Sequence, residues 1–257
     1  MNDSHDSTAS AVPMITVSNL TMGWDEHVLQ RDATFTVNRG DIFVILGGSG
    51  CGKSTLLRHL TGLSTPLSGE IRVKGVDPKE PSLEPPKFGV MFQSGALLGS
   101  FTVGENVGLP LSEWTDLPEE AVRAIVQAKL RLVGLDNSEG VMPSELSGGM
   151  KKRAAIARAM AMEPDLIFLD EPSAGLDPIT AAELDDLIIA LNRDLGLTLV
   201  VVTHELESIF RIGTRCIMLD RDTRRIIAEG DPRELRDNSD DPRVRAFFHR
   251  QPKELQS

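Results

Sequence analysis

A glycine-rich loop between a buried strand and a helix limits what this chain can fold into more than any other feature. Residues 42–46 are continuously apolar and β-rich, the pattern of a strand buried on both faces. The sequence GGSGCGKS follows at residues 47–54, here named the phosphate loop, and a helix-compatible run covers residues 53–60. Strand, loop and helix in this order are the context that phosphate binding requires. We therefore predict an α/β fold that holds a nucleotide at this loop.

The residue types in the phosphate loop suit contact with phosphate. Glycines allow backbone turns that are barred to other residues and bring several N–H groups to the β-phosphate. Lys53 supplies a point charge for the β- and γ-phosphates, and the Ser54 hydroxyl is a ligand for Mg²⁺. The helix N-terminus adds a favourable dipole. The predicted nucleotide contacts in this segment are Gly47, Gly48, Ser49, Gly50, Cys51, Gly52, Lys53, Ser54 and Thr55.

The later part of the chain continues the α/β pattern. Residues 166–169 and 197–202 read as buried strands on either side of a helical stretch at 179–195. Because strands alternate with helices, the pattern indicates a parallel sheet.

Residues 94–162 interrupt that alternation. They have almost no strand signal, and a helix is predicted at 118–132 with a cap near Asp116. We interpret the segment as a helical insertion into the α/β core. Two short runs that alternate apolar and polar residues, 15–17 and 34–37, precede the phosphate loop and read as strands.

Composition excludes several classes of function. The net charge of -11 argues against general nucleic-acid binding, which needs a basic surface. No apolar run is long enough for a membrane-spanning helix, and the polar start lacks the pattern of a signal peptide. Cys51 and Cys216 are the two cysteines, far apart in sequence, which fits a reducing compartment. We expect a soluble intracellular protein.

The two ends of the chain have their own character. Residues 1–12 are rich in Ser, Asp and Thr, and we expect a disordered tail. Residues 237–241 read as a linker, and residues 242–249 are helical in character. Phe247 and Phe248 lie side by side in this last segment. Such a pair either docks on a partner or, more commonly, packs on its own domain.

Polar side chains follow the predicted strands at the point where each strand ends. Asp170 and Glu171 end the strand at 166–169, His204 follows the strand at 197–202, and Gln93 follows a short run at 90–92. In doubly wound sheets ligands lie at this edge. Asp170 is placed to hold Mg²⁺, Glu171 to act on an attacking water, and His204 to position that water or the γ-phosphate. Alone, an acidic pair is often a solvated turn and a lone histidine is usually structural.

A second glycine pair points to a second phosphate surface. The residues Leu146, Ser147, Gly148, Gly149 and Met150, here the second glycine loop, stand just before a helix predicted to begin near Lys151. One chain has no obvious use for two such surfaces, so the second would serve a nucleotide held by another copy. The alternative is an ordinary helix-entry turn. The cationic run at 151–153 is interpreted as a solvated helix face.

The order of these motifs resembles that of ABC-type ATPase domains. It covers residues 14–235 and includes the phosphate loop, Gln93, the second glycine loop, the acidic pair, the sequence SAGLD at 173–177 and His204. The resemblance implies a P-loop NTPase (RecA-like) core with a mostly parallel sheet, an antiparallel β subdomain and a helical subdomain. We expect the ATPase domain at 13–236, its helical subdomain at about 94–162 and a C-terminal linker with a short helix at 237–257.

The resemblance also implies a site shared between two copies. Two ATP molecules would each lie between Lys53 of one copy and residues 147–149 of the other, with Asp177 at the dimer seam. Glu171 and His204 would be catalytic, and Ser54, Gln93 and Asp170 would hold Mg²⁺. Trp24, which stands where tyrosine is more usual, offers an aromatic face for adenine; a partly buried surface aromatic is the alternative.

Three segments narrow the resemblance. Residues 147–159, 92–98 and 104–111 look like the ATPases of MCE-type (Mla-like) lipid transport systems, and Met150 stands where many relatives carry glutamine. This implies an integral membrane permease, an MCE-domain lipid-binding protein and in some systems a small STAS-domain protein as partners. It also implies a peripheral position on the cytoplasmic face of the inner membrane.

Three other interpretations compete with a lipid-transport ATPase. One is the ATPase of a polar-solute importer, for example for amino acids. Another is a soluble ABC protein in translation or DNA repair, although a single ATPase unit and an acidic chain weigh against it. The third is a binding module without hydrolysis, which Glu171 and His204 argue against.

Overall fold

The computed structural model describes residues 13–24, 27–80, 84–85 and 87–251, and the predicted tail at 1–12 lies outside them. Within this part of the chain no helix is both long and apolar enough to cross a bilayer. The strands are β1 Ile15–Trp24, β2 His27–Val37, β3 Ile42–Gly47, β4 Ser68–Val73, β5 Gly89–Met91, β6 Leu166–Asp170, β7 Thr198–Val202, β8 Arg215–Asp220 and β9 Arg225–Gly230. The α-helices are α1 Lys53–Leu60, α2 Val103–Trp114, α3 Glu119–Leu132, α4 Gly148–Ala159, α5 Pro178–Leu195, α6 Leu206–Ile212, α7 Pro232–Asn238 and α8 Pro242–Phe248.

The larger sheet has the strand order β5-β6-β7-β3-β8-β9 and is parallel except for β9, which runs antiparallel to β8. Every residue of β3 and β7 is buried. This explains their continuous apolar sequence, because helices or a second sheet cover both faces of a parallel sheet. The predicted α/β fold with a mostly parallel sheet is confirmed.

The register of the larger sheet brings three chain segments together. Ile45 of β3 pairs with Val202 of β7, and Val202 pairs with Asp170 of β6. Since the strands are parallel, the residues that follow each of them leave the sheet at the same edge. The phosphate loop, Glu171 and His204 therefore emerge side by side.

The smaller sheet is antiparallel, with the order β2-β1-β4. β1 and β2 run well beyond the two short strands that the sequence predicts. Register shifts interrupt their pairing between Val17 and Gly23, so the alternation of apolar and polar residues does not continue along the full strands. Asn19 and Asp32 adopt positive φ there, which breaks the simple apolar alternation. Apolar side chains of this sheet share a core with α1 and one face of the larger sheet.

Helices alone occupy the chain between β5 and β6. Thr102 and Glu105 form a capping box at the start of α2. The cap predicted near Asp116 lies two residues later: Pro118 is the N-cap of α3 and makes no side-chain hydrogen bond. Two glutamates in the first turn of α3 instead stabilise the helix, because their negative charges lie at the positive end of its dipole.

The C-terminal helices pack on the same domain. α7 continues to Asn238, so the predicted linker at 237–241 is shorter, residues 239–241. Val244 and Phe248 of α8 are buried in a core cluster with Val44 and Leu46 of β3. The apolar side of this segment is therefore used within the chain, as the more common of the two interpretations expects.

Candidate functional site

The phosphate loop turns sharply from β3 into α1. Gly52, the N-cap of α1, has φ 105°, a conformation that favours glycine. A Cβ on Gly52 would lie 2.8 Å from the Met22 side chain of β1, so the smaller sheet packs directly against the loop. The Lys53 ammonium donates to the carbonyls of Gly47 (2.8 Å) and Gly48 (3.3 Å). Its charge is thus held against the backbone at the start of the loop.

Gln30 is a support of this loop that the sequence reasoning missed. Its side chain is fully buried on β2, and its amide nitrogen donates to the carbonyls of Cys51 and Asp220, each at 2.9 Å. One amide therefore ties the phosphate loop to the end of β8. A polar residue in a half-buried strand is the only signal the sequence offers for it.

Cys51 lies inside the loop with its thiol turned into the core. It is 1% exposed, and burial raises the pKa of the thiol despite the nearby charge of Lys53. The side chain is thus inaccessible to a ligand, whereas the backbone of the loop remains available.

Glu171 is held in a strained backbone conformation next to His204. Its φ is 47°, unusual for a residue other than glycine, and its N–H donates to Val202 at 2.8 Å. Its Oε1 lies 2.8 Å from His204 Nδ1, while Oε2 is buried without a hydrogen-bond partner among the described residues. A strained residue with an unused oxygen indicates a functional position.

Asp170 stands beside Glu171 at the end of β6. Burial and the neighbouring Glu171 carboxylate raise its pKa, and the charges of Lys152 and Lys53 partly offset this. Its Oδ1 is buried and has no partner in the described part of the chain. Together with the Ser54 hydroxyl it offers oxygen donors, the ligands that Mg²⁺ prefers when phosphates and waters complete its shell.

A cavity of about 500 Å³ joins the phosphate loop to Glu171 and His204, whereas Asp170 is not among its lining residues. Its size falls within the range of small-molecule sites. Three of its lining residues, Leu206, Phe247 and Arg250, were not predicted as site residues. The lining residues are Gly47, Gly48, Ser49, Lys53, Glu171, His204, Leu206, Phe247 and Arg250.

Lys152 connects the backbone of Gln93 to that of Glu171. Gln93 is exposed just after β5, and its backbone carbonyl accepts from the Lys152 ammonium, which also donates to the Glu171 carbonyl at 3.1 Å. Burial lowers the pKa of Lys152, and the carboxylates of Asp170 and Glu171 counter that effect. The interpretation of residues 151–153 as a solvated face is wrong for Lys152, which is 7% exposed.

The second glycine loop forms the N-terminus of α4. This helix begins at Gly148, three residues before the predicted start at Lys151, because the Ser147 hydroxyl accepts from Met150 N–H and caps it. A Cβ on Gly149 would lie 2.5 Å from Thr180 of α5. Ser147 and Gly148 are exposed at this end of the helix.

Asp177 caps α5 next to that loop. Its carboxylate accepts from the N–H groups of Ile179 and Thr180 and from the Thr180 hydroxyl at 2.6 Å. The hydroxyl bond, followed by the Thr180 N–H, holds the pKa of Asp177 below its usual value. Ile179 beside it is 75% exposed, the most exposed of the large apolar side chains in the described residues.

Trp24 lies at the end of β1 with its ring accessible. The side chain is 56% exposed and stacks on His27, with ring centroids 5.4 Å apart. An open aromatic face remains compatible with the predicted contact to adenine.

A family model and individual relatives of known sequence all match this chain to one protein family. A family model described as ABC transporter matches residues 30–174. The chain is 44% identical over 221 residues to the Escherichia coli "Intermembrane phospholipid transport system ATP-binding protein MlaF", covering 84% of this chain and 81% of that protein. It is 40% identical over 240 residues to the Mycobacterium tuberculosis "Probable ribonucleotide transport ATP-binding protein mkl", covering 91% of this chain and 66% of that protein. The chain thus spans just under two thirds of this mycobacterial relative.

Solved structures agree with the sequence comparison. The dimeric ATP-binding cassette MJ0796 in a post-hydrolysis state bound to ADP and Pi has a TM-score of 0.74 and 30% identity, covering 85% of this chain and 98% of that one. The protein cbiO1 of Clostridium perfringens, part of an ABC transporter complex, has a TM-score of 0.78 and 28% identity. The match covers 88% of this chain and 91% of that one. The chain belongs to the family of ABC transporter ATP-binding proteins.

Proposed function

We propose that this chain hydrolyses ATP and thereby powers a membrane transporter. The observation that carries the proposal is that Lys53 and the hydrogen-bonded Glu171–His204 pair line the same cavity. A cation for phosphate on one side and a carboxylate for water on the other are the parts that phosphoryl transfer needs.

The proposed mechanism assigns one role to each group. Lys53 and the backbone N–H groups of the phosphate loop bind the phosphates, and the ring of Trp24 stacks on adenine. Glu171 takes a proton from the attacking water, and His204 orients Glu171 and the γ-phosphate through its ring nitrogens. Ser54, Gln93 and Asp170 would hold Mg²⁺, which when bound neutralises charge on the phosphates.

We propose that a second copy completes each site. The dimeric cassette MJ0796 supports this arrangement, as do the exposed Ser147 and Gly148 at the N-terminus of α4. Helix N-termini bind anions, so this end suits the phosphates of a nucleotide held by the other copy. Asp177, with the exposed Ile179 beside it, would lie at the seam.

We propose phospholipids or related hydrophobic compounds as the transported substrates, moved by a separate permease of an MCE-type system. The relative named for intermembrane phospholipid transport supports this assignment. The exposed Phe92 and Leu98 flank Gln93 and offer apolar contacts to the permease. In this proposal an MCE-domain protein and a STAS-domain protein complete the complex, which holds the chain at the cytoplasmic face of the inner membrane.

Transport of ribonucleotides is a second candidate, because another relative carries that name. The test is to purify the tagged chain with its native complex from membranes and to identify the bound proteins and small molecules. A permease with co-purified phospholipid, and ATPase activity that phospholipid stimulates, would support the lipid assignment. Bound ribonucleotide other than ATP and its product ADP, or ATPase activity that responds to polar solutes alone, would contradict it.

A further inference from the structure

Lys152 is a buried ammonium at the junction of three functional segments. It lies on α4, two residues after the second glycine loop, and is 7% exposed. Its Nζ donates to the carbonyls of Gln93 and Glu171. These two carbonyls belong to the residues that follow β5 and β6, so one side chain from α4 spans two neighbouring strand ends.

Packing alone does not explain a lysine at this position. The buried residues that follow it on α4, residues 154–157, are all alanine or isoleucine. Burying an ammonium costs free energy unless its hydrogen bonds and nearby opposite charges compensate. Asp170 and Glu171 supply those charges, and the two carbonyls supply the acceptors. Lys152 therefore contributes its hydrogen bonds and charge at this position, rather than the filling of space in the core.

These contacts join residues that serve different nucleotides. If the proposed function is correct, Gln93 and Glu171 act on the ATP of their own copy, whereas Ser147 and Gly148 contact the ATP of the other copy. Ser147 and Gly148 are at the N-terminus of α4, and Lys152 lies in the second turn of the same helix. Because a helix is stiff, a movement at its N-terminus also moves Lys152 and its bonds to the Gln93 and Glu171 carbonyls. We propose that Lys152 is a positioning residue that couples the two ATP sites of the dimer, by transmitting contact at the second glycine loop to Gln93 and Glu171.

The strained conformation of Glu171 makes this transmission effective. Its backbone is held at φ 47° from both sides, by its N–H bond to Val202 and by the bond from Lys152 to its carbonyl. A conformation of this kind persists only while its surroundings enforce it. A shift of α4 therefore changes the orientation of the Glu171 carboxylate without any change at the phosphate loop.

The experiment compares Lys152→Met with the matched control Lys151→Met, which removes the same charge from a half-buried neighbour. For Lys152→Met we expect kcat to fall at least about tenfold and the Hill coefficient for ATP to fall to about 1. The Kd for ATP in EDTA should stay within about threefold of wild type, because Lys53 and the phosphate loop are untouched. Lys152→Arg keeps a cationic donor and should retain at least about a third of the wild-type kcat.

Two results would overturn the inference. One is a Lys152→Met protein, folded by circular dichroism, that keeps the wild-type kcat and Hill coefficient; the other is a wild-type Hill coefficient of 1. If Lys152→Met does not fold, Lys152→Gln, which is polar but uncharged and one bond shorter, should show the same loss, and wild-type behaviour would equally overturn the inference. Failure of the proposed function is distinct, because wild-type protein would then show no ATPase activity at all.

Discussion

At the scale of single residues, the site combines strain with unused polar atoms. Glu171 has a positive φ, and both it and Asp170 carry a buried oxygen without a partner in the described structure. Folding stability alone would favour a relaxed backbone and paired oxygens. These costs are explained if both carboxylates are built to meet water, metal and phosphate.

Replacing Glu171 by Gln tests its assignment as the base. The amide has the same shape but cannot accept a proton, so kcat for phosphate release should fall at least about 100-fold. ATP should still bind, because the phosphate loop is unchanged. The control is Glu205→Gln: its carboxylate also lies near His204, at 3.5 Å from Nε2, but is half exposed. Normal turnover in Glu171→Gln would exclude Glu171 as the base.

Lys152 and Gln30 show what sequence reasoning at this scale could not reach. Lys152 lies in a cationic run, yet its spacing from Gly149, Ala155 and Ile156 places it on the buried face of α4. The identity of its acceptors depends on strands far away in sequence. By contrast, Glu171 and His204 were predictable together, because parallel strands end at one edge whatever lies between them.

At the scale of elements, α8 is a structural part of the nucleotide domain. Val244 and Phe248 share a core cluster with β3, the strand that leads into the phosphate loop, and Phe247 and Arg250 line the cavity. Apolar pattern alone could not distinguish this packing from docking on a partner, because both bury the same face of the helix.

Truncation after Asp240 should therefore destabilise the protein itself. Loss of two fully buried side chains should lower the free energy of unfolding by about 3 to 5 kcal/mol, measured in urea. Truncation after Gln251, which leaves α8 in place, is the control. Unchanged stability in the shorter protein would mean that α8 does not pack on β3 in solution.

The contact between α5 and α6 contains a buried carboxyl whose ionisation should affect stability. Burial raises the pKa of Asp185 to about 6, against opposing effects of a hydrogen bond from Ser208 and the charge of Arg211. The folded state thus binds this proton more tightly than the unfolded state. Asp185 therefore makes the protein less stable as pH rises from about 4 to about 6.

Asp185→Asn should remove that dependence. At pH 7.5 the variant should be more stable than wild type by up to about 3 kcal/mol in urea unfolding, and the difference should shrink towards pH 4.5. Asp186→Asn, at an exposed carboxylate paired with Arg211, is the control and should not show this pH trend. A gain that is equal at both pH values would contradict the assignment.

At the scale of the whole molecule, the site is half of a larger one in the arrangement that we propose. The second glycine loop forms the N-terminus of α4 with Ser147 exposed, and Gly149 packs against Thr180, the neighbour of the exposed Ile179. The sequence could indicate a second phosphate surface because a glycine pair before a helix is a local pattern. It could not show that Gly149 is also required by its contact with Thr180, which depends on how α4 and α5 pack.

A charge at Ser147 should separate the two copies. In the Glu171→Gln background, ATP should produce a dimer in size-exclusion chromatography, and adding Ser147→Glu should abolish it, because the carboxylate repels the phosphates of the other nucleotide. Ser144→Glu, at an exposed neighbour outside the loop, should leave the dimer intact. A dimer that persists with Ser147→Glu would argue against the shared site.

The buried thiol of Cys51 can be used to measure movement of the phosphate loop. Cys51 and Cys216 are both buried, and burial raises the pKa of the Cys216 thiol to about 12. Neither thiol reacts until its surroundings open, so the rate of alkylation measures an opening equilibrium. Cys51 records movement of the loop and Cys216 records unfolding of the sheet. A nucleotide that slows the first rate more than the second would reveal how far binding stiffens the loop alone.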